Sequence, residues 1–380
     1  MTKIKDFVIL STSSIYPKED IVYNLYSLPA FDNEQKCEIL RGKDIQSNKY
    51  IVPDKCILFN KLNVRFKRVW RIDSLEEHKL CSTEFLPLII DETKVDYQYF
   101  FYLLISDSIT NYLCGQNANT SGSHKRISPA DLLEIPVKLP SMPEQKAIGK
   151  ILSDIDRKIA LNRAINHNLA AMAKQLYDYW FVQFDFPNQD GKPYKSSRGK
   201  MVWNEKLKRE IPEGWEVISF NNLFNLGNGK ATPNSVGNVP AYGGNGIIKY
   251  VKESNFCSCF IIGRVGANCG SLHYSPINCW VSDNAIAAIP KNQDNASYLL
   301  YSLKLYDLAQ NKGGSSQPLI THNELKKLYF LYSNEHVIRF CNIINKQLNL
   351  YFDKVDEIET LTKQRDELLP LLMNGQVTIG

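Results

Sequence analysis

The chain writes one phrase twice. Residues 122–140 read GSHKRISPADLLEIPVKLP, and residues 314–333 read GSSQPLITHNELKKLYFLYS, at an offset of 193. Ile127 falls on Ile320, Ser128 on Thr321, Asp131 on Glu324, Leu132 on Leu325 and Ile135 on Leu328. Ser128 to Asp131 has the form of a capping box: Ser at the N-cap, Pro at the first helical position, a carboxylate at the third. Thr321 to Glu324 repeats it without the proline. Ile127 with Leu132, and Ile320 with Leu325, stand where a hydrophobic staple needs its two apolar residues. Each copy therefore predicts a Gly/Ser loop, a short capped helix and a strand.

A long heptad follows each copy. Leu152, Ile155, Ile159, Asn162, Asn166, Leu169, Ala173, Leu176 and Trp180 are spaced 3 and 4 apart, which is a seam for a second helix. Shifted by 192, the seam becomes Ile344, Gln347, Tyr351, Lys354, Ile358, Leu361, Arg365, Leu368 and Leu372. Gly375 is placed to cap its end. The expectation is two long helices paired antiparallel. With Leu152 opposite Leu368, Asn166 stands opposite Lys354, and buried polar residues of this kind fix register at a cost in stability.

Before each helix lies a run of strand-like segments with one helix, DYQYFFYLLISDSITNYL in the first half and ASYLLYSLKLYDLAQ in the second. The fold class expected is α+β: two pseudo-symmetric mixed α/β domains joined by two long antiparallel helices. The boundaries expected are 1–140 and 215–334 for the domains, 141–182 and 335–380 for the helices, and 183–214 for a Pro-, Gly-, Ser- and Lys-rich linker. A pseudo-symmetric ruler suits duplex DNA with a split recognition sequence.

Composition permits this reading without demanding it. The 380 residues are 44% hydrophobic and 22% charged, with a net charge of +5. Nine cysteines, an odd number without a regular framework, suggest reduced thiols in a cytoplasm. No run approaches a membrane span, and the N-terminal apolar run is too short for a signal peptide. Cys257, Cys259, Cys269 and Cys279 lack zinc-knuckle spacing and are read as buried thiols on strands.

Candidate phosphate contacts lie in KLNVRFKRVWR, where Lys61, Arg65, Lys67 and Arg68 stand on an expected strand. Ser123, Lys125 and Arg126 of SGSHKR lie beside a helix N-terminus that favours anions. In the second half, Tyr242 and Asn245 sit in a glycine-rich hairpin. Arg264 and Asn268 flank another turn and suit contacts to guanine and adenine. Lys312, Ser315, Ser316 and Gln317 fall in the second Gly/Ser loop. Against these stand a solvated strand and an ordinary hairpin turn. There is no Gly-x-x-x-x-Gly-Lys-Ser/Thr loop, no Gly-x-Gly-x-x-Gly after a strand and no Asn/Asp-Pro-Pro-Tyr/Phe. Asp91, Glu92 and Lys94 form a nuclease-like triplet without an upstream Pro-Asp strand. An enzyme acting on DNA through that triplet, and a coiled-coil scaffold that binds no DNA, are the alternatives.

The duplication, together with LPSMPEQKAIGKILSDIDRKIALN, LYDYWFVQFDFP, EIPEGWEV, VPAYGGNGII, SGSHKRISPADL and GGSSQPLITHNEL, resembles the DNA-specificity subunits of type I restriction-modification enzymes over essentially the whole chain. The resemblance implies two target-recognition domains, each reading half of a split DNA target, and a helical spacer that docks methyltransferase subunits, two of them expected. It implies that S-adenosylmethionine, ATP and magnesium are bound by methyltransferase and motor-nuclease partners, with none held by this chain. The first half departs from the pattern in having no counterpart of IPEGWEV, so its N-terminal strand is expected to differ.

Overall fold

The computed structural model describes residues 1–33, 35–116, 126–306, 308 and 319–377. The chain divides into two compact units, residues 1–162 with 357–380, and residues 163–356.

In the first unit a four-stranded antiparallel sheet has the order Val8–Leu10, Phe85–Ile90, Lys55–Asn60, Val69–Asp73. One core packs this sheet against the helix Tyr97–Leu104, whose first turn is capped by the Asp96 side chain. The segment expected to be one helix is two, Tyr97–Leu104 and Asp107–Gln116. A second sheet of five strands, Ser14–Ile15, Lys49–Ile51, Lys79–Cys81, Val22–Tyr26 and Glu38–Arg41, follows in the same unit.

The second unit holds a six-stranded sheet in the order Phe224–Asn228, Ala285–Pro290, Phe256–Gly263, Leu272–Val281, Val239–Gly243, Gly246–Val251. Its first four strands repeat the connectivity of the four-stranded sheet, and the helix Ala296–Leu305 stands for Tyr97–Leu104. The register repeats as well. Ile57 pairs with Arg71 and Leu88, and Phe260 pairs with Tyr274 and Ala288. The N-terminal difference is one of length: two residues, Thr2–Lys3, pair with Pro136–Val137, where four, Glu216–Ser219, pair with Tyr329–Tyr332.

Both capping boxes form. Asp131 N donates to Ser128 Oγ at 3.2 Å and Ser128 N to the Asp131 carboxylate at 2.7 Å. Thr321 N donates to Glu324 at 2.7 Å and Glu324 N to Thr321 Oγ1 at 3.4 Å. The staple residues Ile127 and Leu132 are buried in one core, Ile320 and Leu325 in another.

The long helices span Met142–Tyr177 and Asn334–Met373. A π-type turn, Asp178–Val182, ends the first. Gly375, at φ +65, ends the second: Gln376 N donates back to Leu371 O at 2.9 Å. Within each unit the two helices run antiparallel. In the first, Asp156 meets Arg365 at 3.0 Å and Lys158 meets Glu357 at 3.3 Å. In the second, Tyr177 and Trp180 pack on Phe340, while Leu169 and Tyr351 line one cavity. Leu152 and Leu368, expected to stand opposite each other, belong to one core. Every seam position is buried or half-buried, including Ile155, Leu176, Ile358 and Leu361. Asn162 is fully buried, and neither of its side-chain polar atoms has a partner among the described residues. Asn166 Oδ1 has none either.

Residues 183–214 are not a bare tether. They contain the hairpin Met201–Asn204 with Arg209–Pro212, and Phe184, Phe186 and Ile211 are buried in the core of the second unit. Composition hid this because the Lys, Ser and Gly residues face solvent around a few aromatic anchors. Cys259, Cys269 and Cys279 are buried, but Cys257 is exposed, and Cys269 closes a 3-10 turn rather than standing on a strand. No described helix is long and apolar enough to cross a membrane.

Candidate nucleic-acid interface

One backbone contact is repeated in the two units and fixes where each Gly/Ser loop ends. Ile127 N donates to Lys61 O at 3.0 Å, and Ile320 N donates to Arg264 O at 2.9 Å. Beside them, Leu62 bridges Arg126 and Val265 bridges Leu319. Lys61 and Arg264 are thus the same position in two copies of one module. Each lies where a central strand leaves its sheet and meets the residue that leads into the capping box.

In the second unit several turns converge on this rim. Gly244 and Asn245 make the two-residue link of a hairpin closed by Gly243 and Gly246, with Gly246 at φ +92. A side chain at Gly244 would come within 3.4 Å of Asn268 Cβ, so this hairpin abuts the turn Gly266–Asn268. Arg264 N donates to Asn284 O at 2.9 Å and Ser282 N to Tyr242 O at 2.9 Å, which brings in the turn before Ala285. Tyr242, Asn245, Arg264 and Asn268 are therefore brought together. Asn245 and Asn268 are exposed, and the Arg264 guanidinium makes no ion pair among the described residues. Burial, with Lys326 and Arg264 nearby, holds His322 below the usual imidazole value. Burial pushes the Tyr242 phenol up. Lys230, bridged to Ser282, and Asn284 also reach this rim and were not singled out in the sequence. The glycine-rich GNGK run, residues 227–230, was the available signal for Lys230.

The first unit differs. The run 61–71 is not one strand. Val64–Phe66 forms a 3-10 turn between Asn63 and Lys67, both left-handed at φ 52 and 47, and the strand begins only at Val69. Most of its cations have acidic partners. Lys67 meets Asp107 at 2.6 Å, and Arg68 makes a two-pronged contact with Asp32 at 2.7 Å. Arg126 does the same with Glu84, at 2.7 and 3.0 Å. The Arg68 hydrogen bonds hold the Asp32 carboxyl below its ordinary value. Arg65 is exposed and Lys61 half-exposed, and neither forms an ion pair among the described residues. Ser123, Lys125, Lys312, Ser315, Ser316 and Gln317 lie outside the described residues.

The nuclease-like triplet does not converge. Asp91 caps its own turn, accepting from Thr93 N and Oγ1 at 3.1 and 2.6 Å, and Lys94 closes on it at 3.2 Å. Glu92 points instead to Lys55 at 2.5 Å. Among the described residues no three His, Cys, Asp or Glu side chains are grouped to hold a metal.

A family model, type I restriction modification DNA specificity domain, matches residues 2–171 and 212–364. The HindI specificity subunit of Haemophilus influenzae is 24% identical over 425 aligned positions, covering 90% of this chain and 91% of the relative. The MjaIX specificity subunit of Methanocaldococcus jannaschii is 22% identical over 337, covering 80% and 75%. The fold is that of the S subunit of a type I restriction-modification system from M. genitalium, with a TM-score of 0.67 at 17% identity over 98% of this chain and 95% of that one.

Proposed function

This chain belongs to the type I restriction-modification DNA specificity family, and from that premise we propose that it reads a bipartite, asymmetric DNA target and docks the subunits that act there. Sequence-specific recognition of DNA is the family's role. The observation that carries the finer reading is the repeated module: one strand end, one Gly/Ser loop and one capped helix, present twice, each copy leading into one of two antiparallel helices. Two copies with different loops fit two different half-sites. Helices of 36 and 40 residues are about 54 and 60 Å long at 1.5 Å per residue. That is on the order of 15 base pairs at 3.4 Å each.

In this reading residues 1–140 and 215–334 are the recognition domains, and 141–182 and 335–380 are the spacer that docks two methyltransferase subunits. Motor-nuclease subunits join in a restriction-competent complex, and the assembly works in the cytoplasm. The chain does no chemistry itself. S-adenosylmethionine, ATP and magnesium belong to its partners. Arg264, Asn268 and Asn245 contact bases of one half-site, with Tyr242 behind them. Lys61 and Arg65 contact phosphates near the other.

The test is methylome sequencing of the host with and without the gene. Loss of N6-methyladenine at one split motif is expected. No change, with the methyltransferase expressed, or a single continuous palindrome, overturns the reading. Cleavage or methylation by the purified chain alone would favour an enzyme. DNA affinity that does not fall with salt would favour a scaffold.

A further inference from the structure

In the first unit four charged or polar side chains from four elements meet where the domain rests on its helices. Asp156, on the first long helix, accepts from Tyr102 Oη at 2.5 Å and from Arg365, on the second long helix, at 3.0 Å. Arg71, on the strand Val69–Asp73, lies 3.7 Å from the same carboxylate. Arg71 also donates to Gln98 Oε1 at 2.6 Å and stacks over the Phe101 ring at 4.2 Å. The three charged side chains are 20 to 28% exposed. Burial and the neighbouring Asp156 carboxylate push the Tyr102 phenol up. Burial alone would lower Arg365, but Asp366 and Asp156 hold it up, so the cation is kept.

The repeat gives each of these residues a counterpart. By strand register Arg71 corresponds to Tyr274. By helix N-cap Tyr102 corresponds to Tyr301. By the repeated seam Asp156 corresponds to Leu348 and Arg365 to Ala173. All four counterparts line one cavity of ≈ 370 Å³ in the second unit. Where the first copy has a carboxylate bonded to a guanidinium and a phenol, with a second guanidinium 3.7 Å away, the second has an open-sided, mostly apolar cavity that Lys304, His273 and Gln347 also line, with Tyr301 Oη donating to Ala170 O at 3.4 Å. An ionic cluster is directional and tolerates one geometry. A mostly apolar contact is not directional and tolerates small shifts.

We infer that Arg71, Tyr102, Asp156 and Arg365 are positioning residues that clamp the first recognition domain at one angle on the helix pair, and so set which distance between half-sites is accepted. This rests on the bipartite reading above. Among the described residues the four counterpart positions form no ion pair, and the second junction is the more compliant one.

Two measurements on the full chain test it. Hydrogen exchange is read in the helices Tyr97–Leu104 and Ala296–Leu305. Arg365→Met, or the milder Tyr102→Phe, is expected to speed exchange in the first about tenfold and leave the second unchanged. No local change in either variant overturns the clamp. The same variants then replace the wild type in the host, and the methylome is read for spacer length. Methylation spreading to targets one base pair longer and shorter, with both half-site sequences retained, is the expected result. A single unaltered spacer length, in variants that have lost protection, overturns the spacing role. Absence of any split motif with the wild-type chain overturns the bipartite reading itself, and the spacing role with it, whatever the exchange shows.

Discussion

Lys61 and Arg264 hold the same place in two copies of one module, yet the surfaces around them differ. In the first unit several rim cations are matched by acids from elsewhere in the unit: Asp107 for Lys67, Asp32 for Arg68, Glu84 for Arg126. In the second, Arg264 stands among glycine turns and asparagines with no carboxylate on its guanidinium among the described residues. A charge count ranks the first rim higher as a polyanion site, and the paired geometry reverses the order. A two-pronged Arg–carboxylate contact has already committed the donors that a phosphate or a guanine edge would use. The junctions with the helices invert the pattern again, ionic in the first unit and apolar in the second.

The largest expected difference between the two units lies in their cores. Phe340 is fully buried against Tyr177 and Phe181, and its counterpart in the repeat is Ile148. Phe340→Ala is expected to cost ~3–5 kcal/mol and Ile148→Ala ~2–4 kcal/mol. Hydrogen exchange should place each loss in its own unit. Equal loss in both units from either variant would mean that the halves do not unfold separately.

Next come the rims. Arg264→Ala is expected to weaken DNA binding by the assembled complex by ~1–3 kcal/mol and to relax base preference at one position. Arg68→Ala should change affinity by less than about 0.5 kcal/mol, because Asp32 holds that guanidinium. Titrations at two salt concentrations separate the two, and equal losses would show that the Asp32 contact does not withhold Arg68 from DNA.

A smaller effect tests the helix pair. Asn162→Leu replaces a buried amide with two unpartnered polar atoms by an apolar side chain of similar size. It should raise the unfolding free energy by ~1 kcal/mol, measured in urea. A loss of stability would show that the amide is satisfied in solution.

The smallest concerns the N-terminal strand. Lys3 and Lys5 hold Glu134 down to about 2 from 4.5. A carboxyl depressed in the folded state contributes above its unfolded value and loses that contribution as pH falls through its folded one. The Thr2–Lys3 strand should therefore be fully attached above about pH 5 and loosen between about 4.5 and 2. Glu216–Ser219, with twice the pairing, serves as the control. Amide exchange at both strands across that range would reveal equal loosening if the ion pair is irrelevant.

Much of the architecture was legible because its signals are local. The capping boxes, the staples, the seam and Gly375 depend on residues within a few turns of one another, so spacing alone specifies them. The helix Tyr97–Leu104 was readable, though its break at Ile105 and Ser106 was not. The strand reading of residues 61–71 failed because Asn63 and Lys67 accept left-handed backbone, a turn that propensity does not announce in a Lys.

By itself the sequence determined that the chain is two copies of one module on two paired helices, since duplication and periodicity survive without coordinates. Which cations lack an acidic partner among the described residues, that residues 183–214 fold into the second core, and that one cluster of counterpart residues is ionic and the other lines a mostly apolar cavity were decided only by tertiary structure. The physical reason is distance along the chain. Asp32 and Arg68, Asp156 and Arg365, and Ala173 and Leu348 are partners or neighbours only after folding, and a charge or a void is defined by what the fold places beside it.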